Sequence, residues 1–180
     1  MLEGDDPGMV IESLNGYRIK EKMPGNPGDY REPLGVPEVL REGTDITIVT
    51  YGSLVRMAEK ASDLLSQKGI SVELIDVQTL LPFDVNASIV DSLETTNKIL
   101  FLDEDVPGGA TAYMMQEVLE VQNGYQYLDA PPKTLTAKAH RPPYGSDGDY
   151  FSKPSIEDIF ESVYELMTNV DPIKYPQIFN

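Results

Sequence analysis

From Thr44 onward, apolar β-branched runs alternate with segments of helical period, and this alternation leaves few folds open to the chain. Ile46-Thr47-Ile48-Val49-Thr50-Tyr51 has no alternation of apolar and polar residues, as a strand buried on both faces requires. Leu54, Val55, Ala58, Ala61, Leu64 and Leu65 then recur at helical spacing, with Ser53 available as a cap and Gly69 just past the end. A second strand is read at Ser71–Asp76, a turn at Leu80–Phe83, and a helix carrying Ile89, Val90 and Leu93 that Asp84 is placed to cap. A third strand is Lys98–Asp103. Pro107-Gly108-Gly109 opens a helix with Ala110, Tyr113, Met114, Val118 and Val121 on one side, ended by Asn123-Gly124. Thr134–Ala137 reads as a short strand and 140–153 as loop. Ser155 and Asp158 form a capping box before a helix that buries Ile156, Ile159, Phe160, Val163 and Met167. Strands alternating with helices in this way predict an α/β fold: three layers, a mostly parallel sheet of about five strands, and helices on both faces.

Residues 1–42 differ from this pattern. Pro7, Pro24, Pro27, Pro33 and Pro37 punctuate them, which blocks helix and central strand and predicts an extended connector. Met9-Val10-Ile11-Glu12 is the one strand-like run there. The domain is expected over 43–168, and the tail 169–180, with two prolines, is expected to be non-helical.

Composition limits the chemistry. The 180 residues include no cysteine, so neither a disulfide nor a thiolate metal site can form, and a reducing cytoplasm suits the chain. His140 is the single histidine; a Ser-His-Asp triad would have to use it, and a multi-histidine metal site cannot be built. A net charge of −16, from 30 acids against 14 bases, repels nucleic acid and anionic lipid and attracts a basic partner, or serves solubility alone. No apolar run reaches the roughly 20 residues of a membrane span, and the acidic amino terminus lacks the features of a signal peptide.

Four features carry competing readings. Gly108 and Gly109, between a strand and a helix, are candidates for anion binding through free amides, or simply a tight turn; the dinucleotide and P-loop fingerprints are both missing. Asp103-Glu104-Asp105 ends a strand at the edge where α/β sites gather and could ligate magnesium or calcium. Solvated acids near a helix amino end is the plainer reading. His140-Arg141-Pro142-Pro143-Tyr144 offers a proton donor, a cation and a ring, yet no motif sets a nucleophile beside the histidine, and a contact loop is the alternative. Tyr113-Met114-Met115 reads as core plus one interface residue.

The strings REGTDITIVTYG (41–52), ELIDVQTLLPFD (73–84), ILFLDEDVPGGATAYM (99–114) and KPSIEDIFESV (153–163), in this order, resemble the carboxyl-terminal domain of the transketolase superfamily. In particular they resemble the beta-type half of the decarboxylating component of 2-oxoacid dehydrogenases. The resemblance implies that residues 1–42 are a linker plus the end of a preceding pyrimidine-binding domain, with residue 1 inside a longer polypeptide. It implies a parent enzyme that uses thiamine diphosphate and magnesium to decarboxylate a 2-oxoacid, branched-chain for preference, and to acylate a lipoyl group. The family's diphosphate and magnesium motif, activating glutamate and active-site histidines have no counterpart here, so no catalytic, cofactor-binding or metal-binding residue is carried over. The resemblance assigns the domain to contacts instead: with its own amino-terminal half or an alpha subunit, with a second copy in a parent dimer, and with the basic subunit-binding domain of the acyltransferase. The acidic surface and the tail residues Asp171, Lys174 and Tyr175 are the candidate docking site. A transketolase or deoxyxylulose-phosphate synthase relative, or a free-standing anion-binding or interaction domain, is the alternative.

Overall fold

The computed structural model describes residues 4–20, 22, 23, 25–145 and 147–178; Met1 and Pro24 lie outside them. The strand read first on the sequence, β2 (Ile46–Thr50), is buried along its whole length, the burial its unbroken apolar run demands. It sits in the middle of a five-stranded sheet. β3 (Val72–Asp76) and β4 (Ile99–Leu102) flank it in parallel, β5 (Lys133–Leu135) pairs in parallel with β4, and β1 (Glu38–Arg41) closes the other edge antiparallel to β3. Helix α1 (Val55–Ser66) links β2 to β3, α2 (Ser88–Thr96) links β3 to β4, and α3 (Ala110–Gln116) follows β4. A short α4 (Gly148–Ser152) and the long α5 (Ile156–Val170) end the domain.

Alternate side chains of the strands build two cores. Ile46, Ile48, Leu74 and Leu100 join Ala58 and Leu65 of α1 and Ile159, Val163 and Met167 of α5 on one face. Val49, Ile75, Ile99 and Phe101 join Ile89 and Leu93 of α2, with Met114 and Val118, on the other. Each fully buried aliphatic or aromatic side chain contributes about 1.5–3 kcal/mol. The result is the three-layer, mostly parallel α/β architecture expected. One polar contact crosses the second interface: the Thr47 hydroxyl lies 2.6 Å from those of both Ser92 and Thr96, so α2 is pinned to β2 at one register.

Several local expectations are corrected. Glu38–Arg41 belongs to the sheet rather than to the connector. Its four residues are mostly exposed, so no apolar pattern marks it, and Pro37 just before it is tolerated at an edge. Met9–Glu12, expected as the last strand of a preceding domain, forms no strand among the described residues. Ser53 lies within a 3-10 turn, Gly52–Leu54, and caps nothing. The helix expected to run through Val121 becomes a π-helix over Glu117–Val121, with the Gln122 amide bonded to the Glu117 carbonyl. The wider turn shifts the helical phase, and Val121 faces solvent. The loop expected over 140–153 contains α4. The capping box at Ser155 is present with both reciprocal bonds.

Candidate functional site

Residues after β2 and β4 meet at the carboxyl edge of the sheet, the edge at which open α/β sheets place ligands. Tyr51 follows β2 and donates its hydroxyl to Asp103 Oδ1 at 2.9 Å. The Asp105 amide donates to the same oxygen at 3.2 Å. Asp103 is only 2% exposed, and among the described residues its Oδ2, like the Thr50 hydroxyl, has no hydrogen-bond partner. Burial first, and the adjacent Asp103 charge second, push the Tyr51 phenol far above the ordinary tyrosine range. The phenol therefore stays protonated and donates to Asp103. That is a structural lock on neighbouring strand ends.

The three consecutive acids diverge, as strand-end residues do. Asp103 turns to Tyr51, Glu104 accepts from Lys153 Nζ at 3.1 Å, and Asp105 Oδ1 accepts from the Val106 amide at 2.7 Å. Among the described residues no group of three His, Asp or Glu side chains could hold a metal ion. At Gly108 and Gly109 the geometry favours the tight-turn reading. The Gly109 amide donates to the Val106 carbonyl at 3.1 Å, and Asp105 Oδ2 is 2.6 Å from where a Gly109 Cβ would lie. The Asp105 carboxylate stands where a Gly109 side chain would begin. The glycine is there for close approach, and Gly108, at φ +89°, for the turn.

The 138–153 segment folds on itself. His140 Nδ1 lies 2.9 Å from the Arg141 carbonyl, its ring is 5.7 Å from Phe151, and Lys138 Nζ stands 3.7 Å over that ring. Arg141 covers Tyr144 at 4.7 Å. The tail behaves differently from the docking strip expected. Asp171 Oδ1 accepts from the Ile173 and Lys174 amides, making a tight turn. That turn returns Tyr175 to the core, where it is 3% exposed, edge-on to Tyr164 at 6.4 Å. Lys174 stays outside, its ammonium 4.8 Å from the Tyr175 ring. Tyr175 is thus corrected from a docking contact to a core residue, while Lys174 remains on the surface and Asp171 half-buried. Of the Tyr113–Met115 face, Met114 is fully buried and its neighbours partly so.

Sequence reasoning located Asp84 correctly in role, but the cap position lies three residues further on. Ala87 holds the cap position of α2, in left-handed backbone. Asp84, 1% exposed, reaches past it to accept from the Ser88 amide at 2.9 Å, the Ser88 hydroxyl at 2.6 Å and the Ile89 amide at 3.0 Å. It also missed Lys98, almost buried and paired with Asp129 at 3.2 Å; a lysine opening an apolar strand was the available signal.

A mostly parallel sheet covered on both faces by helices defines a three-layer α/β domain. The chain belongs to the transketolase carboxyl-terminal domain family: the family model described as "Transketolase, C-terminal domain" matches residues 35–153, β1 included. It is 32% identical over 168 residues to the pyruvate dehydrogenase E1 component subunit beta of Mesostigma viride, covering 93% of this chain and 50% of that protein. It is 37% identical over 137 residues to the 2-oxoisovalerate dehydrogenase subunit beta of Bacillus subtilis, covering 74% and 40%. Against the acetoin:2,6-dichlorophenolindophenol oxidoreductase subunit beta of the same species it is 32% identical over 166 residues, covering 92% and 47%. The chain thus spans about half the length of the curated relatives it matches. Among solved structures, a split-gene transketolase, an inactive beta4 tetramer, shares the fold with a TM-score of 0.61 at 23% identity, over 78% of this chain and 44% of that one.

Proposed function

We propose that this chain is the assembly and docking domain of the beta-type decarboxylating component of a thiamine-dependent 2-oxoacid dehydrogenase. The observation that carries this is collinearity: 93% of the chain aligns with half of a beta subunit. The parent enzyme decarboxylates a 2-oxoacid and acylates a lipoyl group. Branched-chain substrates are favoured by the 37% identity to a 2-oxoisovalerate dehydrogenase beta subunit. The connector before β1 joins this domain to a pyrimidine-binding domain, which together with an alpha subunit and a second copy completes the parent in the cytoplasm. No helix among the described residues is long and apolar enough to cross a membrane.

Thiamine diphosphate and magnesium belong to the parent. The described residues here do not fit them, because the acids after β4 diverge and no group of three His, Asp or Glu side chains gathers among them. The chain's contribution is a rigid acidic surface. Its −16 charge attracts the basic subunit-binding domain of an acyltransferase, speeding encounter at low salt. Calorimetry on the 180-residue chain checks both halves. Expected are no magnesium-dependent binding of thiamine diphosphate, and binding of a subunit-binding domain that weakens steadily with salt. Magnesium-dependent cofactor binding, or no heat with that domain at low salt, overturns the reading.

A further inference from the structure

The loop between β5 and α5 is held in one shape by its own backbone. The Lys138 amide donates to the Ser152 carbonyl at 2.8 Å and joins the two ends. The Gly148 amide donates to the Gly145 carbonyl at 3.2 Å, and Gly148 is buried so close to the Pro143 carbonyl that no Cβ would fit there. The side chains on this frame stand outward. Tyr144 is 88% and Phe151 55% exposed, and Lys138, His140 and Arg141 are exposed with them.

The cations of this loop are held differently from others in the chain. Arg41, Lys98, Lys133 and Lys153 each meet a carboxylate. Lys138 and Arg141 make no ion pair among the described residues. Each lies on a ring instead, Lys138 over Phe151 at 3.7 Å and Arg141 over Tyr144 at 4.7 Å. His140 links the two pairs: its ring is 5.7 Å from Phe151 and its Nδ1 is 2.9 Å from the Arg141 carbonyl. Of the loop's own acids, Asp149 faces Lys153 at 3.9 Å and Asp147 opens α4 with a partner of its own. A ring attracts a cation without neutralising it. A guanidinium laid on a tyrosine keeps its N–H groups in its own plane, directed past the ring and open to a carboxylate.

We infer that this loop is a docking surface for an acidic peptide segment of a partner protein, with its carboxylates on Lys138 and Arg141 and an apolar side chain against Tyr144 and Phe151. Two cations without carboxylate partners, in a chain of 30 acids and 14 bases, supply the charge complementarity. Aromatic rings and arginine are the residues that dominate binding energy at interfaces. Rings this exposed enclose no pocket, so they suit a chain segment laid across them rather than a small molecule, which needs a concave site. Single-stranded nucleic acid also puts phosphates on cations and bases on rings. Two cations do not offset the repulsion between a phosphate chain and a net charge of −16, whereas a segment with a few carboxylates meets far less of it. The surface has the opposite sign from the one assigned to the basic subunit-binding domain and does not rest on that reading.

The test is fluorescence anisotropy of the 180-residue chain with a short labelled peptide of glutamates around one phenylalanine, and with its glutamine counterpart. The glutamate peptide should bind saturably at low salt, and the glutamine peptide about tenfold more weakly. Arg141→Gln, Lys138→Gln and Tyr144→Ala should each weaken the glutamate peptide about threefold or more. Lys68→Gln removes the same charge beyond the far end of α1 and should leave binding unchanged. Unlabelled oligothymidylate should not displace the peptide. All four positions are exposed, and circular dichroism checks that each variant is folded. No saturable binding of the glutamate peptide, equal binding of the two peptides, an equal loss with Lys68→Gln, or displacement by oligothymidylate overturns the proposal.

Discussion

Replacing Tyr175 by alanine tests whether the tail belongs to the fold. The ring is 3% exposed, packs edge-on against Tyr164 and touches the cluster of α1 and α5. Truncating a buried aromatic ring costs about 3–5 kcal/mol, and a tail that can partly collapse onto the gap puts this case near ~3. For a chain of this length each kcal/mol lowers the melting temperature by about 2–4 °C, so Tyr175→Ala should melt about 6–12 °C early. Its hydroxyl lies 3.5 Å from the Gly69 carbonyl, the outer limit of a hydrogen bond, so Tyr175→Phe should lose under ~1 kcal/mol. Urea unfolding of the two variants reads both differences. If Tyr175→Ala unfolds within about 1 kcal/mol of the parent, less than a buried ring can cost, the core assignment is wrong and the tail is free to dock. Binding of a basic partner should be compared at a temperature where both proteins are folded; it should not respond to Tyr175→Phe.

Asp84→Asn should destabilise by about 2 kcal/mol in urea, because two amides and a hydroxyl lose a charged acceptor and one of the amides faces a donor. Asp84→Ala should cost more, since φ 32° at this position suits Asp and Asn better than Ala. Gly43→Ala should largely prevent folding, as judged by soluble yield and circular dichroism: a Cβ there would lie 2.1 Å from the backbone of Val72 and Glu73. Burial first, and the Glu38 charge after it, hold the Asp76 carboxyl above its ordinary value. A raised folded pKa favours the fold below the unfolded value of 3.8 and loses that contribution as pH rises through the folded one. Asp76→Asn should therefore gain stability over the parent between acid and neutral pH; a difference that stays flat across that range would contradict the assignment.

Much of this architecture is legible one segment at a time. The burial of β2 on both faces is written in an uninterrupted β-branched run, and the start of α5 in Ser155 and Asp158, because both depend on residues within a turn or two. The role of Asp84 was readable for the same reason, although its reach over Ala87 was not. The candidate site was far less legible. Gly108 and Gly109 read alike as an anion cradle or a tight turn until the Asp105 carboxylate is placed beside them. Tyr175 reads as an exposed tail residue until the turn at Asp171 folds it inward.

By itself the sequence determined the order of β2 to β5 and of the helices α1, α2, α3 and α5, which faces are apolar, and which chemistries one histidine and no cysteine rule out. Only the tertiary structure decided that Glu38–Arg41 is a strand, since its pairing partner is β3, more than 30 residues away in the chain. It alone decided that the acids after β4 turn apart, that Glu104 meets Lys153 and that Lys138 lies over the ring of Phe151. The reason is range. Propensity and periodicity act over a few residues, whereas pairing, burial of a tail and the meeting of charges depend on where the sheet brings distant segments together.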